Sequence, residues 1–426
     1  MNAIGRRRFL RDGLVFCGGA LCGGPLSTHL LGANERVLLG VMGTNGRGTA
    51  LARSFVSLGD VEIAAVCDVD DRAAAKGVQA VASKQPRPPK VFKDFRKMLE
   101  ERDIDGVVIA TPDHWHATAT VLACAAGKDV YVEKPVSHNP REGELMIAAA
   151  SKYSRIVQVG TQRRSMPQII EAMRKVREGA IGKVHFARGW YTNRRGSIGH
   201  GKTVPVPNWL DWSLWQGPAP EKPYRDNIVH YNWHWFWHWG TGELGNNGIH
   251  GLDLCRWALN VAVPTTVAAG GKRYYFADDQ ETPDTQVVYY DFGHCAIAWE
   301  SRSCQGHGYE GSMFGAAFYG DAGTLVTDGS GYTVYDSSDK DVERVTGSGG
   351  DELHLKNFAQ CIKSRQRPNA DIQEGHLSTL LCHLGNIAWR VGRTLRLDSR
   401  TGKITGDRAA MQLWSRTYRH GWELRV

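Results

Sequence analysis

The sequence predicts a doubly wound α/β domain followed by an α+β domain built on a mostly antiparallel sheet. Three observations carry this prediction. From Arg36 to about Val159, short apolar runs alternate regularly with helical stretches, the pattern of a parallel sheet with helices on both faces. The first apolar run, Val37 to Met42, leads straight into Gly43-Thr44-Asn45-Gly46-Arg47-Gly48, a strand running into a glycine-rich turn that opens a helix. After Gly160 the texture changes to longer alternating runs with tight turns such as Phe292-Gly293-His294. A chain of 426 residues also exceeds one ordinary core.

In order, the first domain predicts a strand ending at Cys67 and an Ala-rich helix near Arg72 to Ser83. A short strand at Val91-Phe92, a helix at Asp94 to Glu100 and the buried strand Gly106 to Ala110 follow. Pro112 stops that strand, and a helix runs from about His114 to Ala126. The strand Asp129 to Val132 ends in Glu133-Lys134-Pro135, a helix follows Pro140, and the strand Ile156 to Val159 closes the unit. In the second domain, strands are expected at Lys183 to Tyr191, Thr266 to Phe276, Thr285 to Phe292, His294 to Glu300 and Phe314 to Tyr319. A helix from about Asn246 to Leu259 and two late helices, Glu352 to Ser364 and Gln373 to Val391, should cover one face of that sheet. The expected boundaries are a leading segment 1–33, a first domain 34–160 and a second domain 161–426.

The glycine turn points to a dinucleotide. Glycines let backbone come close to a ligand, and the helix that follows aims its free N–H groups and dipole at a pyrophosphate. Twenty residues after Gly48, Asp68 ends the second strand, where a Rossmann-type fold places the carboxylate that holds an adenosine ribose. A carboxylate there repels a 2′-phosphate and favours NAD over NADP, an effect that nearby Arg72 partly offsets. The G-x-G-x-x-G pattern is altered, with Asn45 in its middle position and an extra Gly46; Asn tolerates left-handed backbone, so the turn survives. Ligands of such sheets sit beyond the carboxyl ends of the strands. Several polar groups fall there together: Asn45, Asp68, Thr111 to His116, Glu133-Lys134 and Gln162-Arg163.

Composition excludes other classes. Formal net charge is +8, but the first 33 residues hold four Arg and one Asp, so the remainder carries +5. No basic run is interleaved with aromatics, which gives nucleic-acid binding no footing. Arg6-Arg7-Arg8-Phe9-Leu10-Arg11, followed by a weakly hydrophobic stretch from Gly13 to Leu31, is a twin-arginine export pattern too glycine-rich to span a membrane. Export by that route places the protein in the periplasm or outside the cell. The seven later cysteines are scattered and lack a C-x-x-C pair, so buried free thiols are expected and a disulfide framework or zinc site is not.

Lys134 follows a strand at the cleft and could hydrogen-bond a substrate hydroxyl beside a nicotinamide. Asn246, His250 and Asp253 are spaced to share one helix face, with a glycine-rich approach from Gly240 to Gly248. His250 is a candidate general acid or base; a structural histidine is the competing reading. Trp233-His234-Trp235-Phe236-Trp237-His238-Trp239 puts four of the chain's 14 tryptophans in seven residues, suited to the apolar faces and hydroxyl rims of sugar rings. Some of these must pack instead. His234 and His238 lack a spaced carboxylate to complete a metal site, and no metal is expected.

The fingerprint Gly43 to Gly48, Thr111-Pro112-Asp113-His114-Trp115-His116, Glu133-Lys134-Pro135 and Gly242-Glu243-Leu244-Gly245-Asn246-Asn247-Gly248-Ile249-His250 together resemble the Gfo/Idh/MocA oxidoreductase family across nearly the whole chain after residue 33. The resemblance implies a second domain with an open, mostly antiparallel sheet often used for oligomer contacts, and hence a homo-oligomer. It implies that the E-K-P lysine, an aspartate and a histidine four residues later act near the nicotinamide. These map onto Lys134, Asn246 and His250, so an amide stands where the family has a carboxylate. The expected cofactor contacts are Gly43, Thr44, Asn45, Gly46, Arg47, Gly48, Asp68, Thr111, Pro112, His116, Glu133, Lys134 and Gln162. The expected substrate contacts are Arg163, Trp233, His234, Trp237, His250 and Asp253. The resulting expectation is an exported NAD-dependent oxidoreductase of a sugar, cyclitol or glycoside whose cofactor stays bound and is recycled in place. A redox-neutral NAD-dependent glycosidase and a non-catalytic sugar binder are the alternatives.

Overall fold

The computed structural model describes residues 36–426. The twin-arginine pattern and the boundary at residue 33 lie outside the described residues.

The first domain is laid down in strict alternation: β1 (Val37–Met42), α1 (Arg47–Val56), β2 (Val61–Cys67), α2 (Asp71–Ala82), β3 (Lys90–Phe92), α3 (Phe95–Met98), β4 (Gly106–Ile109), α4 (Asp113–Ala125), β5 (Asp129–Val132), α5 (Pro140–Lys152) and β6 (Val157–Val159). The six strands form one sheet in the order β3-β2-β1-β4-β5-β6, and every pair in it is parallel. Strand order reverses between β1 and β4, which opens a crevice at their carboxyl ends. β4 and β5 are buried throughout because helices cover both faces. Helix starts follow local chemistry: Asp70 caps α2 through the Arg72 and Ala73 N–H groups, and Asn139 with Pro140 starts α5.

The second domain contains α6 (Pro167–Arg177), β7 (Val184–Thr192), α7 (Trp212–Gln216), a π-helical turn (Leu244–Gly248), α8 (Ile249–Leu259), β8 (Thr266–Lys272), β9 (Thr285–Asp291), β10 (Ala296–Arg302), β11 (Phe314–Gly320), β12 (Gly323–Thr327), β13 (Tyr332–Asp336), β14 (Asp341–Val345), α9 (Glu352–Ser364), α10 (Ile372–Val391), β15 (Leu395–Arg396) and α11 (Arg408–Gln412). Nine strands pair in the order β14-β13-β12-β11-β7-β10-β9-β8-β15. All neighbours are antiparallel except β7 and β10, which run parallel. Strands β12 to β15 were not expected from the sequence, and the predicted strand to Phe276 stops at Lys272.

The two late helices do not both cover the second sheet. α10 does: the Tyr290 hydroxyl on β9 donates to the Leu381 carbonyl at 2.9 Å. α9 instead packs under the first sheet, where Phe358 meets Phe55 and Tyr131 with ring centroids 6.2 and 5.8 Å apart. An apolar stripe states that a helix must be covered, not by which sheet. The described cysteines are free thiols, buried apart from the half-buried Cys304. Among the described residues no helix is long and apolar enough to cross a membrane.

Candidate functional site

The glycine turn after β1 is closed by its own backbone. Gly43 has φ +85°, its N–H donates to the Cys67 carbonyl at 2.9 Å, and an added Cβ would lie 2.7 Å from the Ala110 oxygen. Gly48 is tighter: a Cβ there would sit 1.8 Å from the Gly43 oxygen. The left-handed position is therefore Gly43. Asn45 does not adopt a positive φ, and its side chain accepts from Lys76 Nζ at 3.0 Å. The tolerance expected of Asn45 is not what preserves this turn. A Cβ on Gly46 would meet nothing within 4 Å, so that side of the turn is bare. α1 begins there with no side-chain cap and no acidic residue in its first turn, leaving its N–H groups to a ligand.

Asp68 stands beside the turn and accepts from the Thr44 N–H at 2.6 Å and the Asp70 N–H at 2.9 Å. Burial pushes its carboxyl up, and these backbone bonds oppose the shift. Arg72 is not free to bind a phosphate: its guanidinium holds Asp70 at 2.9 Å and lies over the Trp209 ring at 3.3 Å.

From this turn a cavity of about 440 Å³ runs to the second domain. Lys134, Asn246 and His250 line its far end. Lys134 Nζ donates to the Asn246 carbonyl at 2.8 Å and to Asn246 Oδ1 at 3.1 Å, across the interface between the two sheets. Burial lowers the lysine pKa, while Glu133, Asp113 and Glu243 oppose that shift. Burial, followed by the Arg163, Lys134 and Arg47 charges, holds His250 well below the usual imidazole range, so the ring is neutral. The cavity has three buried polar atoms without a hydrogen-bond partner: Thr111 Oγ1, Gln162 Oε1 and His250 Nδ1. Buried polar groups of this kind are completed by ordered water, an ion or a ligand. Together with the bare Gly46 face and the uncapped helix, they fit a dinucleotide and a second polar ligand.

The model of an oxidoreductase family with an NAD-binding Rossmann fold matches residues 37–161, and the C-terminal alpha/beta domain of that oxidoreductase family matches residues 185–305 and 307–424. The chain belongs to the Gfo/Idh/MocA family. An inositol 2-dehydrogenase of Rubrobacter xylanophilus is 32% identical over 164 residues, 38% of this chain and 46% of that protein. A glycosyl hydrolase family 109 protein of Saccharopolyspora erythraea is 30% identical over 182 residues, 42% of this chain and 39% of that protein. The chain thus matches under half the length of these curated relatives. The WlbA dehydrogenase from Bordetella pertussis, solved with NADH and UDP-GlcNAcA, shares the fold with a TM-score of 0.64 and 19% identity, over 85% of this chain and 99% of that one.

Within this Gfo/Idh/MocA chain, the expected site residues divide. Gly43, Asn45, Gly46, Arg47, Asp68, Thr111, Pro112, Glu133, Lys134, Gln162, Trp233, His234, Asn246 and His250 all line the cavity. The Arg47 guanidinium is committed to Glu133 at 2.8 Å and Asp351 at 3.1 Å, so it braces the turn. Thr44, Gly48, His116, Arg163, Trp237 and Asp253 do not line it. The Thr44 hydroxyl is spent on the Ala73 carbonyl at 2.8 Å. The two ring nitrogens of His116 lie 2.6 Å from the Pro135 carbonyl and 2.9 Å from the Thr111 carbonyl, fixing both loops from behind. Arg163 stacks on Phe314 at 4.1 Å and donates to the Gly329 carbonyl at 3.2 Å. Trp237 packs against Trp389 and Arg390. Asp253 forms a buried ion pair with Arg164 at 2.9 Å and accepts from Ser378. Asp253 keeps its regular spacing from His250 within α8, and it is the pairing with Arg164 and Ser378 that holds its carboxylate away from the cavity.

Residues outside the expected cofactor and substrate contacts also reach the cavity. His230 and Tyr231 cross its mouth, with His230 Nε2 held 2.8 Å from Asp70. Trp115 and Trp215 form a wall, the Trp115 indole donating to the Trp215 carbonyl at 2.9 Å. Among the described residues no cluster of three His, Cys, Asp or Glu groups could hold a metal. His234 stacks on Trp233, and His238 pairs with the Pro220 carbonyl at 2.8 Å.

Asp113, at the start of α4, lies in the stretch that the sequence places at the strand ends, though with no role of its own assigned to it. It is buried, accepts from the Thr241 hydroxyl at 2.6 Å, and burial pushes its carboxyl up to about 7. A carboxyl raised from 3.8 to about 7 stabilises the fold fully below pH 4, and that contribution is lost as pH rises through about 7. Asp113→Asn removes this loss. Between pH 5 and pH 8 its stability relative to the parent should rise by about 2 to 4 kcal/mol in denaturant melts. A constant difference across that window would contradict the assignment.

Proposed function

We propose that the protein is an exported NAD-dependent oxidoreductase that acts on a carbinol carbon of a sugar, cyclitol or glycoside. The observation that carries this reading is the meeting of Lys134 and neutral His250 at one end of a cavity whose other end is the open glycine turn. The Gly43 to Gly46 backbone, the α1 N-terminus and Asp68 would hold the dinucleotide, with Asp68 favouring NAD over NADP. Bound NAD supplies a two-electron acceptor for the carbinol carbon. Lys134 donates a hydrogen bond to the reacting oxygen and stabilises charge that builds on it. His250 takes the hydroxyl proton at its unpartnered Nδ1. Trp215 and Trp233 offer flat apolar faces to the ring. The leading Arg6 to Arg11 pattern supports export by the twin-arginine route. Free NAD is scarce outside the cytoplasm, so the cofactor is carried out bound, and the hydride taken from one sugar is passed to the carbonyl of a second sugar, which leaves reduced. Exposed Val287 and Tyr289 on β9 and Tyr319 on β11 support a homo-oligomer.

The similarity to a glycosyl hydrolase family 109 protein favours one second reading, a redox-neutral glycosidase that oxidises a ring hydroxyl only transiently. Incubation of the natively exported protein with aryl glycosides separates the two. A keto sugar or lactone is expected, with deuterium passing from labelled substrate to bound cofactor. Aglycone release without net change in bound NADH would favour the glycosidase. Sugar binding with no deuterium transfer would leave only a non-catalytic binder.

A further inference from the structure

Asn246 leaves Lys134 facing an amide, and a buried carboxylate lies directly behind that amide. Glu243 is only 1% exposed. Its Oε2 accepts from Arg195 Nε at 2.8 Å and from Ser303 Oγ at 3.1 Å. Its Oε1 accepts from Asn247 Nδ2, from Arg195 Nη2 at 3.4 Å and from Asn246 Nδ2 at 3.5 Å. On the far side of the same amide, Asn246 Oδ1 accepts from Lys134 Nζ at 3.1 Å. An ammonium can only donate and a carboxylate can only accept, so the amide has a single workable orientation. The flipped amide would set donor against donor and acceptor against acceptor.

We propose that Glu243 is a positioning residue for Lys134: it orients the Asn246 amide so that its oxygen accepts from the ammonium, and it supplies, one amide away, the charge that the family's aspartate would place there. This rests on the oxidoreductase reading for its purpose but not for its test. Two other carboxylates face Lys134, but neither touches the Asn246 amide. Glu133 is bound by Arg47 and Asp113 by Thr241, as Glu243 is by Arg195. Burial lowers the pKa of His116, His234 and His250, and the two carbonyls that face His116 oppose that shift. Glu243 is the carboxylate that reaches Lys134 through a hydrogen-bonded group. Its presence also explains why an aspartate is unsuited to position 246 in this chain: two carboxylates would then face each other across 3.5 Å.

The charge can therefore be exchanged between the two positions. Only a neutral amine reacts with acetic anhydride, so acetylation of Lys134 at pH 8, quantified by peptide mass spectrometry on the full chain without substrate, reports how firmly its proton is held. E243Q should raise the Lys134 labelling rate about threefold or more relative to the parent. The double substitution E243Q/N246D, which lets an amide donate to a carboxylate in the reverse sense, should return it to within about twofold of the parent. N246A, which leaves the Arg195 and Ser303 contacts of Glu243 in place, should also raise it and serves if E243Q does not fold. Parental labelling in E243Q or N246A would overturn the proposal, as would a double substitution no slower than E243Q. Labelling requires no turnover, so absence of hydride transfer would defeat the functional reading while leaving this result intact.

Discussion

Lys134→Met is expected to lower turnover by roughly a thousandfold while the dinucleotide still binds. The lysine sits where β5 ends, half-buried, with its ammonium fixed by two acceptors from Asn246. Methionine keeps most of the stem and removes the only part that can donate to a reacting oxygen. Because that oxygen gains charge chiefly as the reaction proceeds, the loss falls on kcat more than on KM. In the proposed binding mode the dinucleotide is held elsewhere, by the turn, α1 and Asp68, so tryptophan quenching by NAD added back to protein stripped of its bound cofactor should be retained. Steady-state kinetics with the preferred sugar measures the first effect and fluorescence titration the second. Parental turnover would remove Lys134 from the chemistry. Equal loss of turnover and NAD binding would make it a structural part of the cofactor site.

The parts of this site that were legible in the sequence are those fixed by strictly local geometry. A buried strand entering a glycine turn can be completed in few ways, so Gly43, Gly46 and Asp68 could be placed from spacing alone. Lys134 was legible for the same reason, because a residue ending a parallel strand has only the crevice ahead of it. What failed depended on partners distant in the chain. His116 shares a six-residue motif with Thr111, yet its ring turns inward because the Pro135 carbonyl lies 2.6 Å away. Asp253 has the spacing of a site residue, but Arg164 from the segment preceding α6 claims it. In the tryptophan run, Trp233 reaches the cavity and Trp237 does not, since Trp389 on α10 offers that ring a cover. Strands β12 to β14 are five residues each, and β14 is largely exposed, so polarity alternation was too brief to reveal them. Glu243 carried no signal because a glycine-rich approach gives no indication of which side chain will be buried.

His250→Leu is expected to move stability and activity in opposite directions. The imidazole is 8% exposed and its Nδ1 has no partner in the protein. A buried polar atom left unpaired costs about 1 to 3 kcal/mol, a cost that a leucine of similar reach does not incur. The variant should therefore melt at the same temperature or higher, with a gain of about 1 kcal/mol once imperfect packing is allowed for. Turnover should fall by about 10² to 10⁴, the range for losing a positioned acid or base. A histidine kept for structure would show the reverse: removing it would destabilise the fold and alter turnover only in proportion to the protein lost. Thermal melts of the free protein and turnover per folded molecule decide between them. Under the proposed function, a substrate hydroxyl presented beside Lys134 would complete the hydrogen bond that the chain leaves open at Nδ1.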